Sequence, residues 1–155
     1  MNYKLIALIL SFIIFTSYVA GITIKFGWLR SVSASWYYIE NKWIFTLSLW
    51  GFSIPLMIAG GTALTFLAGL AICFAGAAAD TKNTELTEKV HVIGAMAGII
   101  FGMAALIIDF NLWYFVLAQL IFTIPAMKCN MRNHTFWIEI VAYYLVWLGM
   151  LIRIV

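Results

Sequence analysis

Between Lys4 and Lys25 the chain carries no charged side chain: LIALILSFIIFTSYVAGITI. A soluble helix is apolar on one stripe, whereas this segment is apolar on every side. A helix rises about 1.5 Å per residue, so a span from Leu5 to about Phe26 crosses the roughly 30 Å hydrocarbon core of a bilayer. The run is too long for the apolar core of a signal peptide, and YVAG at 18–21 is a poor cleavage site, so the segment is expected to stay as an uncleaved helix.

The remainder of the chain repeats the pattern. Further apolar spans are predicted at Trp43 to Ala59, Thr62 to Ala79, Val90 to Ile108, Leu112 to Met127 and Thr135 to Ile152. They are separated by a polar segment after the first span, by Gly60–Gly61, by DTKNTELTEK at 80–89, by DFN at 109–111 and by KCNMRNH at 128–134. Of the 155 residues, 65% are hydrophobic and 10% charged, with a mean hydropathy of +1.04. A soluble domain needs far more charge for its exterior. In a bilayer, helices are favoured because each satisfies its own backbone hydrogen bonds. The expected fold is all-α: a polytopic membrane helix bundle of six transmembrane helices, forming a single domain over residues 1–155.

The net charge of +3 raises the question of nucleic acid. The cations are spread singly between apolar spans and form no basic patch, so no nucleic-acid partner is expected. They act instead as topology signals. Lys25, Arg30, Lys42, Lys82, Lys89, Lys128 and Arg132 fall in the loops joining spans 1–2, 3–4 and 5–6, against Lys4 and Arg153 on the other side. This asymmetry predicts cytoplasmic long loops and both termini outside, in a bacterial inner membrane or its equivalent. Cys73 and Cys129 supply neither a CxxC motif nor a disulfide framework.

An even number of crossings gathers the polar side chains on one face. Ser33, Ser35, Asp80, His91 and Glu139 all lie on or near the long-loop side. The stretch SVSASWYY at 31–38 has two readings. Serines at every second position line one side of an extended segment, or they form a turn or helix cap before the second span. Trp28, Trp36, Tyr37, Tyr38 and Trp43 are placed as headgroup-level aromatics. In the fourth span Gly94, Gly98 and Gly102 form successive GxxxG steps on one stripe with His91 and Ala95, a surface that lets another backbone approach closely. Ala68, Ala71, Ala75 and Ala79 offer a matching surface on the third span. His91 is either an interfacial histidine bonded to a loop group or the partner of Asp80, whose carboxylate would orient it. Glu139 is deep enough to require a partner, and Tyr143 or a loop hydroxyl is the expected one.

Three segments, SVSASWYY at 31–38, GAAAD at 76–80 and HVIGA at 91–95, resemble the DRAM-like superfamily and its uncharacterised bacterial six-helix relatives. In that pattern the aspartate follows a proline; this chain has Ala79 there. The resemblance implies a six-helix fold and no particular reaction. A looser similarity to alkaline-ceramidase-type hydrolases implies zinc on His91, His134 and Asp80 or Glu139, and hence lipid amide or ester hydrolysis. Against that, the chain has only two histidines and no HxxxH. A small transporter or channel is a further alternative, but Glu139 is the only charge clearly inside the membrane and no inverted repeat is evident.

The expected function is therefore non-enzymatic, with no catalytic residue, metal or cofactor. Ser33, Ser35, Asp80, His91 and Glu139 line a shallow polar pocket for a lipid headgroup, a small polar ligand or a partner. Beyond the lipid bilayer itself, a homo-oligomer through a helix surface is the other expected association.

Overall fold

The computed structural model describes residues 2–80, 85–128 and 133–155, with side chains left out at 79, 80 and 85–88. Among the described residues the chain is all helix and turn. The elements are α1 (Tyr3–Phe26), α2 (Ser35–Tyr38), α3 (Lys42–Gly60), α4 (Ala63–Asp80), α5 (Glu85–Ile108), α6 (Trp113–Lys128) and α7 (His134–Ile154). Four of them are long and apolar enough to cross a membrane: α1, α3, α5 from Lys89 onward, and α7. The apolar parts of α4, at 63–78, and of α6 are shorter.

Local chemistry sets the helix ends. Asn2 and Asn41 cap α1 and α3, their side chains accepting from the Lys4 and Trp43 amides. Gly27 and Gly61 follow the two C-termini at φ 74° and 65°, a left-handed backbone that glycine adopts without strain. Thr62 and Thr65 then start α4 reciprocally: each hydroxyl accepts the other residue's amide, at 3.0 and 3.2 Å. Asn111, at φ 57°, makes the turn between α5 and α6.

One boundary departs from the sequence expectation, and the serine stretch settles between its two readings. α5 begins at Glu85, inside the segment read as a polar loop. The serine stretch is not extended. Ser31 Oγ accepts the Ala34 amide at 2.9 Å, and Ser35 opens the one-turn helix α2. Of the two readings, the turn is the observed one, because the hydroxyls bond to nearby backbone.

Packing follows the order of the chain. α3 and α4 run antiparallel along their whole length: Thr46 Oγ1 donates to Gly76 O at 3.0 Å, Trp50 Nε1 to Cys73 O at 2.9 Å, and Met57 lies against Gly69. α5 continues this layer. A β-carbon built on Gly94 would lie 2.9 Å from Ala71 O and 3.1 Å from Ala75 N, and one on Gly98 would lie 2.5 Å from Ile72 Cδ1. α6 and α7 pair next, with Gln119 Nε2 donating to Ile138 O at 3.2 Å. The bundle closes on itself through α1, where Trp147 Nε1 donates to Leu8 O at 2.9 Å and Tyr144 meets Thr16 at 3.0 Å. Large apolar side chains such as Ile13, Ile93 and Ile121 remain exposed on the outside, as lipid-facing positions do.

The glycine contacts rank two substitutions. Gly94→Ala meets helix backbone, which cannot turn aside, whereas Gly98→Ala meets the flexible end of Ile72. Thermal unfolding in detergent should show Gly94→Ala destabilised by about 1–3 kcal/mol, the range for overpacking, and Gly98→Ala by less.

Candidate functional site

The segment between α1 and α3 is the longest described stretch of mostly non-helical chain, and its polar backbone needs partners. α7 provides them. The Phe136 amide in the first turn of α7 donates to Arg30 O at 3.0 Å. One turn further along, Glu139 Oε2 accepts the Val32 amide at 2.6 Å, and the Ser33 amide faces the same carboxylate. Ser35 Oγ donates to Val32 O at 2.6 Å, so at its 2.5 Å contact with Tyr18 the tyrosine is the donor. The chain of bonds runs from α7 through the loop to α1. Glu139 thus has partners different from those expected: it holds loop amides, not a hydroxyl. Tyr143 donates instead to Ser11 Oγ at 2.9 Å, and Ser11 passes its own proton toward Phe52 O at 2.8 Å.

On α5, His91 Nδ1 lies 2.7 Å from Ala75 O. A carbonyl only accepts, so Nδ1 carries a proton and Nε2 is the nitrogen left for a ligand. The imidazole is also tilted against Phe45, with ring centroids 5.9 Å apart. The group seen to orient His91 is therefore a helix carbonyl. Asp80 ends α4, and its carboxylate, named above as the orienting group, lies outside the described residues.

Ser33, His91 and Glu139 line one cavity. It enters the bundle between α1, α3, α4, α5 and α7 and holds about 100 Å³ of free volume, less than the ~300–1,000 Å³ of a drug-sized ligand site. Its walls are Val32, Leu49, Phe52, Ile72, Val146 and similar apolar side chains. From His91 to Met103, both in the lining, the distance is roughly 18 Å along α5 at helical rise. The site is thus deeper and far more apolar than the shallow polar pocket expected. Ser35 is not in the lining; it is fully buried in its bonds to Tyr18 and Val32.

Sequence reading missed the aromatic wall. Phe15 stacks on Tyr143 at 3.8 Å between centroids, and Phe52 meets both edge-on, at 5.0 and 5.3 Å. All three rings border the cavity. In an evenly apolar span a phenylalanine facing lipid and one facing a cavity look alike. Only the hydroxyls of Ser11 and Tyr143, each needing a partner, marked the inner face.

The donor set for a metal is thin. Among the described residues no three His, Cys, Asp or Glu side chains group so as to hold an ion, so His91, His134 and Glu139 do not form a zinc site between them. No protein-family model matches the chain, and no curated protein or solved structure matches it.

The Val32 contact makes a graded prediction. Glu139→Gln keeps an acceptor for the loop amide, while Glu139→Ala leaves a buried donor unpaired, at a cost of about 1–3 kcal/mol. Unfolding in detergent should therefore rank wild type above Glu139→Gln and Glu139→Gln above Glu139→Ala.

Proposed function

We propose that this protein crosses the membrane six times and binds one amphipathic small molecule, whose polar head sits at Glu139, His91 and Ser33 and whose apolar part lies between the helices. The observation that carries this reading is the division of the cavity wall: its described hydrogen-bonding side chains, Tyr143 apart, lie at the end next to the α1–α3 loop, and the rest of the wall is apolar. Tyr143 spends its proton on Ser11. The mouth favours a head that donates hydrogen bonds, an amine, amide or hydroxyl. A carboxylate oxygen accepts, and a neutral imidazole accepts through the Nε2 that the Ala75 bond leaves free. This narrows the earlier expectation of a lipid headgroup or small polar ligand.

Six crossings are supported by the pairing of the short helices. α4 follows α3 from Gly76 beside Thr46 to the turn at Gly60–Gly61, so it traverses the same depth. α6 runs beside α7 in the same manner, with Gln119 at Ile138 and Leu112 near Gly149. The kinship with DRAM-like proteins is part of the proposal. Two of the three segments that carry it contribute Ser33, His91 and Ala95 to the cavity. The excess of cations in the long loops makes the mouth cytoplasmic.

Two measurements test this reading. A fluorescent long-chain primary amine should bind the purified protein at least ~10-fold more tightly, about 1.4 kcal/mol, than the same chain without its amine. Ala142→Phe, placed in the cavity wall, should abolish that binding while thermal melting confirms a folded bundle. Equal affinity for the two probes, or unchanged binding in the variant, rejects the proposed occupant. For orientation, cysteines introduced at Asn2 and Tyr37, in a chain lacking Cys73 and Cys129, should differ. An impermeant maleimide added to intact cells should label the first and spare the second.

A further inference from the structure

We propose that the opposite end of the bundle, where α1 begins and α3, α5 and α7 end, is a second binding site, specific for a phosphate group held by Lys4 and Arg153. Lys4, Gly61, Thr62, Asp109 and Arg153 line one pocket there, of about 370 Å³. It reverses the character of the deep cavity, because charged side chains from three separate helix ends meet in it.

Each cation has an ordinary local role. Arg153 lies in the last turn of α7, and the Lys4 ammonium lies by the C-cap of α3, where helix dipoles favour positive charge. Their convergence needs more than that. They come from the first and last helices, and they share the pocket with a carboxylate whose Oδ2 is buried and has no hydrogen-bond partner among the described residues. Asp109 Oδ2 therefore does not tie up either cation. The Lys4 ammonium reaches the pocket across bare backbone: a β-carbon at Gly61 would lie 3.1 Å from Nζ. Two cations against one acid leave a net single positive charge. A guanidinium fork beside a point-charge ammonium suits an anion with several oxygens. The ends of apolar helices stand at the depth of lipid phosphates, so the phosphate belongs either to a lipid headgroup or to a free anion. This site shares no residue with the cavity at the other end, and neither proposal depends on the other.

The test uses the full chain in two arms, inorganic phosphate added to detergent-solubilised protein and nanodiscs containing phosphatidylglycerol. Saturable binding in the first arm identifies a free anion, binding only in the second identifies a lipid headgroup, and binding in neither overturns the proposal. The double variant Lys4→Gln, Arg153→Gln should weaken binding at least tenfold, and Asp109→Asn should strengthen it severalfold by removing the opposing charge. Lys25→Gln, at the far end of α1, should change nothing. An unchanged double variant, an equal loss with Lys25→Gln, or weaker binding by a folded Asp109→Asn each overturns it. If the double variant does not fold, Arg153→Lys decides: retained charge without the fork should weaken binding by a smaller factor, and unaltered binding overturns the role given to Arg153.

Discussion

The bond from the Val32 amide to Glu139 organises one end of this molecule. Helices satisfy their own backbones, so a bundle made only of them needs little else. A loop lying over the top of such a bundle brings donors and acceptors with no regular partners. Glu139 is a carboxylate set into the first turns of α7 at the height of that loop, where it receives amides that would otherwise be unpaired. A charge in this setting costs several kcal/mol without partners, and the loop amides are what make it tolerable. The same contact holds Val32 and Ser33 over the cavity, so one interaction fixes both the loop and the entrance.

The helices were almost fully legible. Long apolar runs have one solution in a bilayer, and five of the predicted spans agree with the observed helices to within two residues at each end. The exception is the start of α5, which lies at Glu85, inside the segment read as a loop for its charge. Length alone leaves the crossing of α6 open, because its 16 residues fall just below the usual span. The proposal that α4 and α6 cross rests on their neighbours, α3 and α7, along which they run.

The site was legible only in part, for a reason specific to membrane proteins. Topology grouped Ser33, His91 and Glu139 on one side of the bundle, and the three line one cavity. Partner choice was beyond it. Tyr143 stood one turn from Glu139 on the same face of α7 and was the natural candidate, yet its hydroxyl reaches α1. The serine period of two had two solutions, and hydrogen bonds to nearby backbone decided for the turn. Lys4 and Arg153 were read for the sign of their charge alone. Such counting treats each cation as a flag on a loop and hides the fact that the first and last helices end side by side.

That adjacency also bears on assembly. Phe15 of α1 stacks on Tyr143 of α7, and Trp147 reaches back to Leu8, so the wall between the two helices forms only when the final helix enters the lipid. During synthesis α1 must wait, with Ser11 turned toward an absent neighbour, while every helix between them is made. The cavity is accordingly a property of the closed bundle: without α7 its wall lacks Glu139, Ala142, Tyr143 and Val146, and one whole side is missing.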